Sequence, residues 1–97
     1  MIISFADQAT EDVFHRSNSV AARKKLPREL FAIAARKLDQ INFADFLEDL
    51  RVPPGNRLEA LKRDRSGQFS ILINDQYRIC FEWNNGNAIN VEIVDYH

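Results

Sequence analysis

The sequence predicts an α+β fold: an N-terminal strand, two helices, then an antiparallel meander. Three observations carry that reading. Apolar residues recur at helical spacing in the first half and alternate in the second. Between the halves, Val52-Pro53-Pro54-Gly55-Asn56 breaks the pattern. The second half then holds two turn signals, Asn74-Asp75 and Asn84-Asn85-Gly86-Asn87, each between alternating stretches. With 97 residues there is room for a single domain, 1–97, and not for two.

Taken in order, Met1 to Phe5 is short, apolar and partly β-branched, which suits a strand. Asp7 can cap a helix reaching about Arg16, with Val13 and Phe14 on its buried side. Ser17 to Lys25 is polar and weakly patterned and reads as a loop. Pro27 suits the first turn of a second helix. Leu30, Ile33, Ala34, Leu38 and Ile41 give that helix its apolar stripe, with Arg36, Lys37 and Gln40 turned outward. Phe43 to Leu50 adds a short helical turn. Arg57 to Lys62 reads as a strand, Asp64 to Gly67 as a turn, and three alternating strands follow. The helices are expected to cover one face of the sheet.

Alternation assigns the two faces. Tyr77, Ile79, Phe81, Trp83, Ile89, Val91 and Ile93 form the apolar face under the helices. Successive strand side chains point to opposite faces, so Arg78 points away from that core. If the last strand runs without a bulge, Val94 and Tyr96 point away too, and Arg78, Tyr96 and His97 share one open face.

Composition narrows the function classes. The chain is 45% hydrophobic and 28% charged, with seven Phe and one Trp, as an ordinary folded domain requires. The N-terminus lacks the basic start and long apolar run of a signal peptide, and no stretch is apolar enough for a membrane span. The expected compartment is therefore the cytoplasm, with no membrane partner. One cysteine, Cys80, forms no internal disulfide. Two His and one Cys without ligand spacing predict no metal and no cofactor.

A net charge of −1 argues against a non-specific nucleic-acid binder, but the charges are unevenly spread. Arg16, Arg23, Lys24, Lys25 and Arg28 form a basic run free of acids. Arg57, Lys62, Arg63 and Arg65 form a second, against Glu59 and Asp64. Nine of the thirteen basic residues are Arg, the side chain whose fork matches phosphate oxygens. The chain closes on Asp95-Tyr96-His97, a carboxylate, a phenol and an imidazole in succession. Histidine is the side chain that gives and takes protons near neutrality. His15, between Phe14 and Arg16, reads as a surface or capping residue.

Four segments together resemble a known family: Asn56-Arg57-Leu58-Glu59-Ala60-Leu61-Lys62, Gly67-Gln68-Phe69-Ser70-Ile71, Asn74-Asp75-Gln76-Tyr77-Arg78-Ile79-Cys80-Phe81, and Val91-Glu92-Ile93-Val94-Asp95-Tyr96-His97. They resemble the HigB toxins of the RelE-like superfamily, over nearly the whole chain. The resemblance implies a type II toxin–antitoxin system and a small sheet with N-terminal helices. It implies a metal-independent endoribonuclease that cleaves ribosome-bound mRNA. It also implies a HigA-type helix-turn-helix antitoxin, with operator DNA bound only through that antitoxin. Residue by residue, it implies an active site of Asp95, Tyr96 and His97, with Arg78 on the scissile phosphate and Lys62 as a further basic residue. Many relatives carry His-Pro where this chain has Glu59-Ala60, so that histidine's role is either absent or taken by Glu59. Arg16, Arg23, Lys24, Lys25, Arg28, Arg57, Arg63 and Arg65 are then the expected RNA- and ribosome-facing cations. Two other readings stay open: a non-catalytic toxin that binds a protein such as gyrase, and an attenuated toxin kept as an operon co-repressor.

Overall fold

The structure, a computed structural model, describes residues 1–96. Helices come first: α1 (Gln8–Phe14), α2 (Val20–Lys25) and α3 (Phe31–Phe43). Four antiparallel strands follow in the order β1-β2-β3-β4: β1 (Glu59–Ala60), β2 (Gln68–Leu72), β3 (Tyr77–Asn84) and β4 (Asn87–Asp95). The α+β class is as the sequence predicts.

Asp7 caps α1, its carboxylate accepting from Thr10 N–H at 2.7 Å. Lys25 Nζ lies 2.9 Å from the same carboxylate, so the cap also ties α2 to α1. Burial pushes the Asp7 carboxyl up, but the bonds from Lys25 and from Thr10 outweigh it and hold the group below its ordinary value. A depressed carboxyl stabilises the fold fully above its unfolded value, and that contribution is lost as pH falls through the folded value. Asp7→Ala is therefore expected to cost about 1 kcal/mol at neutral pH. In acid unfolding curves the difference from the parent should shrink below about pH 4.

Two local expectations are corrected. Ser17 to Lys25 is not all loop: Ser19 Oγ accepts from Ala22 N–H at 3.0 Å and starts α2. That helix has six residues and buries only Ala22, too little to show a period. In α3, Ala34, Ala35, Leu38 and Ile41 are buried, but Lys37 and Gln40 do not turn outward. Both grip Asn56, which is fully buried. Lys37 Nζ donates to Asn56 Oδ1, and Asn56 Nδ2 donates to Gln40 Oε1 at 2.9 Å and to the Leu50 carbonyl at 3.1 Å. One side chain thus fastens the Pro53–Asn56 crossover to α3, just before the chain enters β1. Asn56→Ala would leave these buried partners unsatisfied and is expected to cost about 2–3 kcal/mol in chemical denaturation.

Met1 to Phe5 runs beside β4 but makes only two isolated parallel bridges, Ile2 with Ala88 and Phe5 with Val91. Between the two bridges β4 carries a bulge. Cys80 pairs with Glu92 and Glu82 with Ile89, so two steps on β3 face three on β4. Asn90 sits there at φ +54°, its N–H satisfied by Ser4 Oγ at 2.9 Å. The bulge changes one face assignment. Ile89, expected under the helices, pairs with Glu82 on the opposite face, and Ala88 is buried in its place. Below the bulge alternation resumes, with Val91 and Ile93 in the core. The buried Thr10 hydroxyl accepts from Ile93 N–H at 3.0 Å and pins α1 to this part of β4.

The core lies between the helices and the sheet face formed by Ile71, Ile79, Phe81, Val91 and Ile93, all fully buried. The opposite face is crossed by Leu61 to Gly67, whose only regular turn is a short 3-10 helix at Arg63–Arg65. Beneath that crossing, Ser70 and Cys80 are also buried.

Candidate functional site

The outer sheet face carries the polar cluster. The pairings Glu59 with Ser70, Ser70 with Cys80, and Cys80 with Glu92 form one row across it. Leu72, Arg78 and Val94 form the next. Arg78 is the hub. Its Nη1 donates to Ser70 Oγ at 2.9 Å and its Nη2 to Glu59 Oε1 at 3.2 Å. Its guanidinium carbon stands 5.1 Å from the centre of the Tyr96 ring, a cation–π contact. Only 14% of the Arg78 side chain is exposed, against 52% for Glu59. The cation is thus held on three sides, while its carboxylate partner faces solvent.

The end of β4 is fixed by its neighbour turn. Tyr96 N–H donates to the Gln76 carbonyl at 2.6 Å, and Gln76 Nε2 donates to Asp95 Oδ2 at 3.2 Å. Asn74 supports that turn by accepting from the N–H groups of Gln76 and Tyr77 at 2.9 and 2.8 Å. Beside Tyr96 lies an open depression of about 490 Å³ walled by Arg65, Val94, Asp95 and Tyr96. Arg65 Nη1 donates to Gln68 Oε1 at 2.9 Å and to Glu92 Oε1 at 3.3 Å.

Of the residues singled out in the sequence, the structure brings together Arg78, Glu59, Tyr96, Asp95 and Arg65. Lys62 is exposed and does not wall the depression. Arg57 and Arg63 are exposed at positive φ in the flanking turns. His97 lies outside the described residues. The basic run Arg16 to Arg28 belongs to the helix layer. Within it, Arg16 is paired with Asp39 at 2.7 Å and Lys25 with Asp7, while Arg23, Lys24 and Arg28 are exposed. His15 is an exposed cap residue of α1. Cys80 is a free, buried thiol that burial pushes up, which makes it a poor nucleophile. Among the described residues no group of three His, Cys, Asp or Glu could hold a metal ion. Sequence reasoning missed Ser70, Gln76 and Glu92, whose roles come from cross-strand register and carry no local motif.

Residues 3–97 match the family described as HigB-like toxin, the RelE-like toxin of the type II toxin–antitoxin system HigB. The chain belongs to the HigB-like toxin family. Two relatives are similar to most of the chain. Toxin HigB-1 of Vibrio cholerae is 34% identical over 90 residues, covering 93% of this chain and 92% of its own. An uncharacterised protein of Haemophilus influenzae is 40% identical over 73 residues, covering 75% of this chain and 71% of its own. As a HigB-like toxin of a type II system, the chain has a protein antitoxin as its implied partner. Among the described residues of this HigB-like chain, no helix is long and apolar enough to cross a membrane.

Proposed function

We propose that this HigB-like toxin is an endoribonuclease that cleaves mRNA on the ribosome and is neutralised by a HigA-type antitoxin. The observation that supports it best is the guanidinium of Arg78, pre-set by Ser70 and Tyr96 on the outer sheet face. A guanidinium in fixed geometry matches the non-bridging oxygens of a phosphodiester and stays charged at every working pH.

The reaction is a transphosphorylation. The RNA 2′-oxygen attacks the adjacent phosphorus, and the bond from phosphorus to the 5′-oxygen breaks. The products are a 2′,3′-cyclic phosphate and a free 5′-hydroxyl. The 2′-proton passes to a carboxylate, and the leaving oxygen takes a proton from an acid. Arg78 stabilises the charge gathering on the phosphate. Glu59 is the base of this scheme. A phosphate that engages Arg78 displaces the exposed Glu59 carboxylate and leaves it beside the reacting 2′-hydroxyl. His97 is the acid of this scheme, with Asp95 two residues before it in the sequence. Tyr96 stacks on a base or bonds the phosphate. No metal takes part. Lys62 and the exposed Arg57 and Arg63 contact RNA around this centre, while the exposed Arg23, Lys24 and Arg28, on the helix layer across the sheet, face the ribosome. The ribosome supplies orientation, which by itself is worth several kcal/mol.

Growth arrest and mRNA cleavage on translating ribosomes test the scheme. Deletion of His97 is expected to abolish cleavage, and Tyr96→Ala to weaken it. Full toxicity in both variants would overturn it. Toxicity accompanied by DNA-damage induction and intact mRNA would point instead to a gyrase-like protein target.

A further inference from the structure

Arg65 stands apart from the other cations near β1. Lys62, Arg57 and Arg63 are exposed, whereas Arg65 is 31% exposed and is held by both Gln68 and Glu92. It also walls the depression that Asp95 and Tyr96 share. Its anchor, Glu92, is the cross-strand partner of Cys80. Arg78 is paired with Val94, so Glu92 and Arg78 are diagonal neighbours on one face, about 7–8 Å apart. Both guanidiniums act on the Cys80 thiol between them, each pulling its proton affinity down against the effect of burial. The two arginines therefore flank one patch of the outer face, with the Tyr96 ring beside both. Two guanidiniums that flank one patch can close on a single phosphate, one toward each non-bridging oxygen.

We propose that Arg65 is a catalytic residue that contacts the scissile phosphate opposite Arg78, with Glu92 as its positioning residue. The proposal rests on the RNA-cleavage reading above and adds a second cation to its centre. Glu92 is itself only 31% exposed and restrains the long Arg65 side chain, so fewer rotamers are lost when substrate arrives. The two carboxylates differ in their parts: exposed Glu59 yields to the phosphate, while Glu92 stays and keeps Arg65 aimed.

Single-turnover cleavage of mRNA on programmed ribosomes, with toxin titrated to saturation, tests this. Arg65→Ala is expected to lower the saturated rate on the order of 10²-fold, with a smaller change in half-saturating concentration. Arg65→Lys keeps a cation near Glu92 but loses the fork, and should recover part of the rate. Glu92→Gln should fall between the parent and Arg65→Ala, with Arg65→Ala remaining lower in a double variant. An unchanged saturated rate in Arg65→Ala, with only weaker binding, would overturn the proposal and return Arg65 to the surrounding RNA surface. Should Arg65→Ala fail to fold, Arg65→Lys decides alone: a saturated rate equal to the parent's would overturn it. Arg78→Ala, run in parallel, separates the two readings. Loss in Arg78→Ala but not in the Arg65 variants sinks the second cation only, and full activity in both sinks the cleavage centre itself.

Discussion

Arg78→Ala is expected to lower mRNA cleavage by roughly 10²–10³-fold, the usual cost of removing one preorganised donor from developing negative charge. The loss should fall on the rate at saturating substrate more than on binding, because the cation acts where charge builds during reaction. Arg78→Lys should recover little. A lysine ammonium cannot hold Ser70 and Glu59 with one planar fork, nor lie flat against Tyr96. Stability should not account for the effect. The residue faces away from the core but satisfies the buried Ser70 hydroxyl, so a modest loss of about 1–2 kcal/mol in stability is expected, too small to account for the lost activity. A variant that cleaves at the parental rate would remove the main support for catalysis at this face.

The second large effect is expected at Glu59, and its two components have opposite signs. Glu59→Gln keeps a hydrogen-bond acceptor for Arg78 but loses the charge that competes with phosphate. Binding of ribosome-bound mRNA should therefore tighten. The cleavage rate should fall by about 10²-fold or more, because the amide cannot take the 2′-proton. Half-saturation and saturated rate, measured on the same variant, read the two effects separately. Tighter binding with a faster rate would mean that Glu59 only restrains Arg78, which is the arrangement of an attenuated toxin. Unchanged binding and rate would remove Glu59 from the site.

Much of the fold was legible in the sequence because strong periods and turn residues mark it. The α3 stripe, the Asp7 cap and the Asn85-Gly86 turn all follow from local chemistry. What escaped was decided by contacts between distant residues. The α2 helix has too short an apolar face to announce itself. Lys37 and Gln40 look like solvent residues until Asn56 arrives from 16 or more positions away. At the site, alternation from Ile93 onward anticipated that Arg78 and Tyr96 would share a face, and this holds because the β4 bulge lies upstream, at Asn90. The family resemblance pointed to Glu59 through the histidine it replaces, but only cross-strand register explains why its carboxylate reaches Arg78. Arg65 was legible as a basic residue of a turn and nothing more, since no sequence pattern says which way a turn folds over a sheet.

The bulge at Asn90 bears on all of this as a matter of parity. At the hairpin tip Asn84 pairs with Asn87 and Trp83 with Ala88. Continued without interruption, that phase would set Arg78 opposite Ile93 and turn Tyr96 toward the helices. The tip and the terminus are thus built in opposite phases, and one additional residue reconciles them. Pairing Asn90 into the ladder, with the bulge straightened, would leave every side chain named in the cleavage scheme present. Yet it would force a choice between a well-formed turn and a tyrosine beside its arginine.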